Sequence, residues 1–318
     1  MTQLDSLKEW TKVVADTGEI QEIKKYSPAE VTTNPSLIFK AAQQPHYQNI
    51  IKEAIGYGKK NTTNPDEIVD FAIDALLVGV GSEILQTISG RVSTEIEVSL
   101  SFSVEKSLMR ARRIIALFEQ KNIAREQVLI KLAGTWQGIQ CVEILEQEGI
   151  SCNVTLIFSI AQAIAAANAN ATLISPFVGR ISDWYKEKEP NKTFSVETDP
   201  GVLSVKTIYE YLKNKHSRTE VMGASFRSKE QVLALAGIDA LTISPKILEE
   251  LQSCDGTVQP QLNVQAAQNL KLPTQEMTEE TFYWKMCTDP MASTKLPEGI
   301  RLFDKDTQSL KMFLKNLL

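Results

Sequence analysis

Lys131 stands inside Val-Leu-Ile-Lys-Leu-Ala-Gly-Thr-Trp, an apolar run with the character of a buried parallel strand. Burial disfavours an ammonium relative to the free amine. A desolvated amine is the nucleophile that forms Schiff bases with carbonyl compounds. Residue type and setting together point to covalent carbonyl chemistry. Acid–base partners for it are offered by Asp16 and Glu95, each near the end of another β-rich run. Histidine is scarce. His46 and His216 are the only two, both in polar, loop-like surroundings, which argues against a histidine-based triad or metal site.

Each of these residues has a plainer reading. Lys131 fits a strand-end lysine reaching back to solvent. Asp16 precedes Thr17-Gly18 and fits a turn initiator, as Asn34 does before Pro35. Glu95 and Glu97 fit solvated rim carboxylates, and Arg180 and Arg227 fit surface residues paired with acids.

These side chains need a scaffold that brings them together. The chain alternates short β-branched runs with longer helical patterns, the signature of βα units around a parallel sheet. Strands are expected over 13–16, 30–34, 92–98, 127–132, 152–158, 172–178, 220–225 and 240–244. Helices are expected over 65–78, 104–120, 138–148 and 160–168. Eight strands mostly followed by helices match a (β/α)8 TIM-type barrel, class α/β. The expectation is a single barrel domain over 1–318 with additional N- and C-terminal helices. The C-terminal helical extension covers about 246–318 and has helix-like stretches at 278–286 and 310–318. The opening residues 1–10 read as an amphipathic helix and not as a secretory signal. The charged, proline-bearing stretch 184–201 reads as a long excursion between strands six and seven. Gly79-Val80-Gly81 reads as the end or interruption of a helix, since a bare G-x-G is no nucleotide fingerprint. Asn170 reads as a left-handed helix terminator.

Barrel strands are normally rich in Val, Ile and Leu on both faces. Here most carry polar residues, many of them toward the C-terminal end: Asp16, Thr32 and Asn34, Ser93 and Glu95, Lys131, Asn153 and Thr155, Ser175, and Ser225 and Arg227. The period-2 rule puts Ser93 with Glu95, Leu129 with Lys131, and Asn153 with Thr155 on shared faces. In a closed barrel those faces converge on one cavity.

The composition sets outer bounds. With 318 residues, 43% of them hydrophobic and 23% charged, the chain is an ordinary globular sequence. A net charge of -5 supplies no basic field for nucleic acid or an anionic membrane, so any phosphate contact must come from locally placed arginines. No apolar stretch is long enough to span a bilayer. Four dispersed cysteines, Cys141, Cys152, Cys254 and Cys287, form no C-x-x-C pair and read as free thiols of a reducing cytoplasm.

Seven ordered segments resemble one family. They are Val-Val-Ala-Asp-Thr-Gly (13–18), Thr-Thr-Asn-Pro-Ser-Leu (32–37), Gly-Arg-Val-Ser-Thr-Glu (90–95), Ile-Lys-Leu-Ala-Gly-Thr-Trp-Gln-Gly (130–138), Cys-Asn-Val-Thr-Leu-Ile-Phe-Ser (152–159), Ile-Ser-Pro-Phe-Val-Gly-Arg (174–180) and Met-Gly-Ala-Ser-Phe-Arg (222–227). The chain resembles the transaldolases of the longer bacterial and eukaryotic type. The resemblance implies a (β/α)8 barrel and a class I aldolase mechanism with neither metal nor cofactor. It implies transfer of a dihydroxyacetone unit between sugar phosphates in the non-oxidative pentose phosphate pathway, by a cytoplasmic homodimer. It assigns Lys131 as the Schiff-base lysine, Glu95 as an acid–base acting through a water, Thr155 as the hydroxyl holding that water, and Asp16 as the base at the C4 hydroxyl. Asn34, Asn153, Ser175 and Phe177 would face the dihydroxyacetone unit, and Arg180, Ser225 and Arg227 the phosphate. Shorter fructose 6-phosphate aldolases share the lysine but tend to carry tyrosine at the position of Phe177. A free aldolase and a catalytically silent barrel are the competing readings. Gly134 departs from the family's usual serine. Ile164 and Asn168 stand where a charged i, i+4 pair is expected, at the loss of a surface ion pair.

Overall fold

Eight short strands pair in chain order into a closed, all-parallel barrel. The computed structural model describes residues 1–318. The strands are β1 (Lys12–Asp16), β2 (Glu30–Thr32), β3 (Val92–Glu95), β4 (Val128–Ala133), β5 (Cys152–Ile157), β6 (Leu173–Pro176), β7 (Glu220–Gly223) and β8 (Ala240–Ile243). β8 closes on β1, with Val13 opposite Leu241 and Ala15 opposite Ile243. All eight expected strands form. Several end earlier than expected: β2, β3, β6 and β7 stop at Thr32, Glu95, Pro176 and Gly223. The residues beyond leave the ladder because they turn outward into the βα loops. Asn34, for example, caps the helix Pro35–Ala42 by accepting the Leu37 amide at 3.0 Å. The Asn34-Pro35 turn signal is thus a helix start, with proline where no amide partner is required.

Period-2 alternation stacks the barrel interior in layers. Val14, Leu129, Leu173, Met222 and Ala240 form a small apolar cluster separate from the main core. Two residues further along four of those strands stand Asp16, Lys131, Ser175 and Thr242. One pleat period therefore separates the apolar plug from a polar layer at the C-terminal mouth. Around the N-terminal end, Lys12 and Arg91 bind Glu30 at 3.1 and 2.8 Å and Glu220 at 2.8 and 2.9 Å. The main core, a continuous set of 85 buried residues, lies between the barrel and its helices.

Two local expectations are corrected and others stand. Gly79 and Gly81 do not end a helix; they lie inside Pro65–Leu85. Their missing side chains admit Ile50 and the ring of Phe118, so close packing outweighs glycine's poor helix propensity. As expected, the stretch 184–201 lies between β6 and β7. Its first residues finish the helix Gly179–Lys188, and Asp199 caps the next helix, Pro200–Asn214, through the amides of Gly201 and Val202. The last helix is much longer than expected, Pro290–Lys315, and contains Pro297. The Asn170 expectation stands: it has φ 57° directly after the terminal Ala169. Residues 1–10 contain the helix Gln3–Lys8 with a Thr2–Asp5 capping box.

Candidate active site

Lys131 does not reach solvent. It is 5% exposed, and its Nζ donates to Glu95 Oε2 at 2.7 Å and to the Thr33 carbonyl at 3.2 Å. Glu95 and Lys131 are register partners on β3 and β4, so adjacent parallel strands deliver both side chains to one face. Glu95 is 2% exposed and is no rim carboxylate. Burial pushes its carboxyl above the usual range, against the opposing pull of Lys131. Glu97 is buried as well, but it points away to Lys311 at 2.9 Å and Arg110 at 3.8 Å. Glu95 Oε1 and Thr155 Oγ1 are buried polar atoms without a protein partner. Such atoms are rare in folded proteins, and these two belong to neighbouring parts of one site.

Asp16 faces the same cavity from the end of β1. It accepts the Thr32 hydroxyl at 3.0 Å, and Thr32 lies 2.6 Å from the Thr242 hydroxyl. Burial raises the Asp16 carboxyl, opposed by the charge of Lys131, the Thr32 hydrogen bond and Arg180. Asn153 forms a layer beneath the cavity. Its amide donates to Ser93 Oγ at 3.1 Å and accepts the Ser175 hydroxyl at 2.7 Å. Asn34 uses Oδ1 as a helix cap, which leaves its amide nitrogen toward the cavity it lines.

Phe177, Arg180, Ser225 and Arg227 also line the cavity. Arg180 is largely buried, with one buried guanidinium nitrogen unpartnered. Burial, then repulsion from Arg227, holds it below its ordinary value, yet an arginine stays cationic. Arg227 keeps the character of the plainer reading. Its side chain is 44% exposed and is paired with Asp183 at 2.7 Å, while still lining the mouth. Ser225 sits in the left-handed region at φ 62°, an uncommon conformation for serine that turns its carbonyl to the Gly179 amide at 2.7 Å. A Cβ on Gly179 would collide with that carbonyl, so only glycine allows this approach.

The site holds residues the sequence reading missed. Phe303, from the helix Pro290–Lys315, roofs the cavity with its ring 5.7 Å from Lys131 Nζ and 5.3 Å from the Arg180 guanidinium. Its distance in sequence from every strand left no local signal. Gln162, fully buried, ties the ends of β4 and β5 together. It donates to the carbonyls of Gly134 at 2.8 Å and Leu156 at 2.9 Å, and accepts the amides of Phe158 and Ser159 at 2.8 and 3.1 Å. The knot accompanies a bulge in β5, where the register shifts and Leu156 adopts φ 56° beside Thr155. The signal for Gln162 was present: Ser159 three residues earlier makes a capping box.

The result is a cavity of about 240 Å³ lined by the Lys131 amine, the Asp16 carboxylate and the guanidinium groups of Arg180 and Arg227, with Glu95 paired to Lys131 behind the wall. A family model described as transaldolase/fructose-6-phosphate aldolase matches residues 13–314. The chain belongs to this family. Among its relatives, "Transaldolase 1" of Pectobacterium atrosepticum is 48% identical over 314 residues, 99% of both chains. "Transaldolase A" of Escherichia coli K12 is 49% identical over the same share. A "Transaldolase" of Rhizobium etli is 47% identical over all of this chain and 98% of its own.

Two departures from the transaldolase pattern now have a setting. A Cβ at Gly134 would lie 2.8 Å from Ile157 Cδ1 and 2.9 Å from Gln162 Nε2, so here the space of a serine is filled by its neighbours. Ile164 is 2% exposed and packs in the main core, whereas Asn168 is exposed. The expectation of a lost surface ion pair is therefore corrected: position 164 is not on the surface, and apolar packing replaces a charge there.

Proposed function

We propose that this chain is a transaldolase that moves a dihydroxyacetone unit from sedoheptulose 7-phosphate to glyceraldehyde 3-phosphate. The products are erythrose 4-phosphate and fructose 6-phosphate, in the non-oxidative pentose phosphate pathway. The observation that carries this reading is Lys131, buried and paired with Glu95, lining one cavity together with Arg180. An amine for the ketone and a guanidinium for the phosphate then sit at opposite ends of one sugar phosphate.

The residue roles follow from the chemistry. Glu95 takes the proton of the Lys131 amine, which adds to the C2 carbonyl. Loss of water from the carbinolamine gives a protonated imine, with Glu95 and Thr155 handling that water through their unpartnered oxygens. Asp16 takes the proton of the C4 hydroxyl as the C3–C4 bond breaks, and the bonding pair flows into the imine to leave an enamine. A carboxylate raised by burial is the stronger base for this step. The enamine attacks the acceptor aldehyde, Asp16 returns its proton, and water hydrolyses the new imine. Asn34, Ser175 and Phe177 line the cavity around the three-carbon unit, and Asn153 lies beneath, accepting the Ser175 hydroxyl. Arg180, Ser225 and Arg227 take the phosphate, an anion the protein's net negative charge would otherwise repel.

The test is borohydride reduction in the presence of fructose 6-phosphate, followed by peptide mapping. A stable three-carbon adduct belongs on the peptide containing Lys131; an adduct elsewhere overturns the reading. We also propose a homodimer in the cytoplasm, on the strength of the family resemblance. No helix is long and apolar enough to cross a membrane. Light scattering on the purified chain tests the dimer, and cell fractionation the compartment.

A further inference from the structure

From the roof of the cavity we infer that Phe303 decides whether the bound three-carbon intermediate is transferred or lost to water. The inference rests on the Schiff-base reading above and adds a specificity-determining residue to it.

Phe303 comes from the helix Pro290–Lys315, outside the barrel proper, yet it is only 5% exposed and lines the cavity. Its ring is within cation–π reach of both cations in the site, Lys131 Nζ at 5.7 Å and the Arg180 guanidinium at 5.3 Å. Phe177 approaches the same guanidinium at 5.2 Å and is backed edge-to-face by Phe158 at 5.4 Å. Arg180 is thus held by two rings, and one of those rings also covers the amine. A purely structural phenylalanine has no need to touch both working cations of a polar cavity.

The helix is fastened at several points around this contact. A Cβ on Gly299, one turn before Phe303, would lie 2.8 Å from Leu156 Cδ2, so the helix presses directly on the β5 bulge. Asp306 bonds Ser36, and Lys311 bonds Glu97 and Asp70, each at 2.9 Å. These anchors set the ring's place relative to β5 and the end of β3.

The chemistry gives the ring two tasks. The lysine nitrogen carries positive charge in the protonated imine, and the ring face favours that charge in a water-poor site. Once the C3–C4 bond breaks, the enamine carbon has two fates. It can attack the acceptor aldehyde, or it can take a proton from water. Protonation returns the dihydroxyacetone imine, whose C=N bond water then hydrolyses to free dihydroxyacetone and the lysine amine. A large apolar ring against the nitrogen keeps water from that second path. The acceptor, held by its phosphate at Arg180, stays aligned for the first.

The experiment compares the wild-type chain with Phe303→Leu and Phe303→Ala, supplied with fructose 6-phosphate with and without glyceraldehyde 3-phosphate. Free dihydroxyacetone is measured against transfer product. We expect the ratio of leakage to transfer to rise roughly tenfold in Phe303→Ala. Phe303→Leu, which keeps bulk and loses the ring face, falls between. KM for the phosphorylated acceptor rises in both variants because Arg180 loses one of its rings. Variants that keep the wild-type ratio, whatever their stability, overturn the inference. Borohydride trapping of the wild type separates the two claims: an adduct on Lys131 with an unchanged ratio removes the role of Phe303 alone, whereas no adduct on Lys131 removes the Schiff-base reading and this inference with it.

Discussion

Lys131 Nζ and Glu95 Oε2 lie 2.7 Å apart on neighbouring strands, opposite each other in the β3–β4 register. Parallel pairing alone brings them together; no loop has to fold back. A one-residue slip would turn one of the two out of the barrel. The proposed nucleophile and its proposed acid–base partner are therefore as rigid as the barrel itself. Several consequences can be measured.

Lys131→Ala should fold and lose all transfer. Removing one partner of a buried ion pair costs ~3–5 kcal/mol when the other stays charged. Glu95, already raised by burial and now without Lys131, escapes most of that cost by taking a proton. Its native value then lies further above the unfolded one, so the variant's stability is retained at low pH and falls as pH rises through the native value. Thermal unfolding at pH 5 and pH 8 checks this. A deficit no larger at pH 8 than at pH 5 would contradict it.

Asp16→Asn should lower turnover by ~10²–10⁴-fold, the range for loss of a general base. It should also stabilise the protein at neutral pH. The Asp16 carboxyl is raised above its ordinary 3.8 in the fold. Below that ordinary value both folded and unfolded forms hold the proton, and as pH rises toward the native value only the folded form does. Deprotonation in the folded protein then carries a penalty at pH 7 that asparagine does not incur. The expected gain is a few degrees of Tm at pH 7, ~2–4 °C, vanishing near pH 3. An equal gain at both pH values would exclude this cause.

Arg180 and Arg227 should not respond alike. Arg180 is largely buried between two rings, whereas Arg227 is half exposed and shared with Asp183. Charge-assisted hydrogen bonds contribute ~1.5–3 kcal/mol, so Arg180→Ala should raise KM for the phosphorylated donor by ~10–100-fold. Arg227→Ala should have the smaller effect, because solvent screens an exposed charge. Initial-rate kinetics on both variants decides it, and the reverse order refutes the ranking.

Gln162→Leu should destabilise more than an ordinary core substitution. Two carbonyls and two amides lose their partner at once. Each buried unsatisfied group costs ~1–3 kcal/mol, so the loss should exceed ~3 kcal/mol even after relaxation. Urea unfolding measures it. Since the same side chain holds the β5 bulge beside Thr155, kcat should fall in the folded fraction as well.

Much of the site was legible before folding. Polar residues at the ends of apolar strands are costly unless used, so Asp16, Glu95, Lys131, Asn153 and Ser175 stood out against their neighbours. Glycine was harder to read. Gly79 and Gly81 look like helix breakers locally, and only the neighbouring Ile50 and Phe118 show that their small size is required. Pro297 likewise lies inside a 26-residue helix that local rules would divide.

The sequence by itself determined the barrel. Its strand count, pleat alternation and capping signals are local, and period-2 geometry then carries Lys131 and Asp16 to the inner face with no further information. Tertiary structure alone decided the pairing and the roof. Whether Glu95 or Glu97 meets Lys131 depends on cross-strand register, and the exposure of Arg180 against Arg227 depends on which rings and acids surround each. Phe303 reaches the active amine across 172 residues of chain because the last helix docks on the β5 bulge. Contacts of that separation depend on the packing of complete surfaces, which no window of sequence contains.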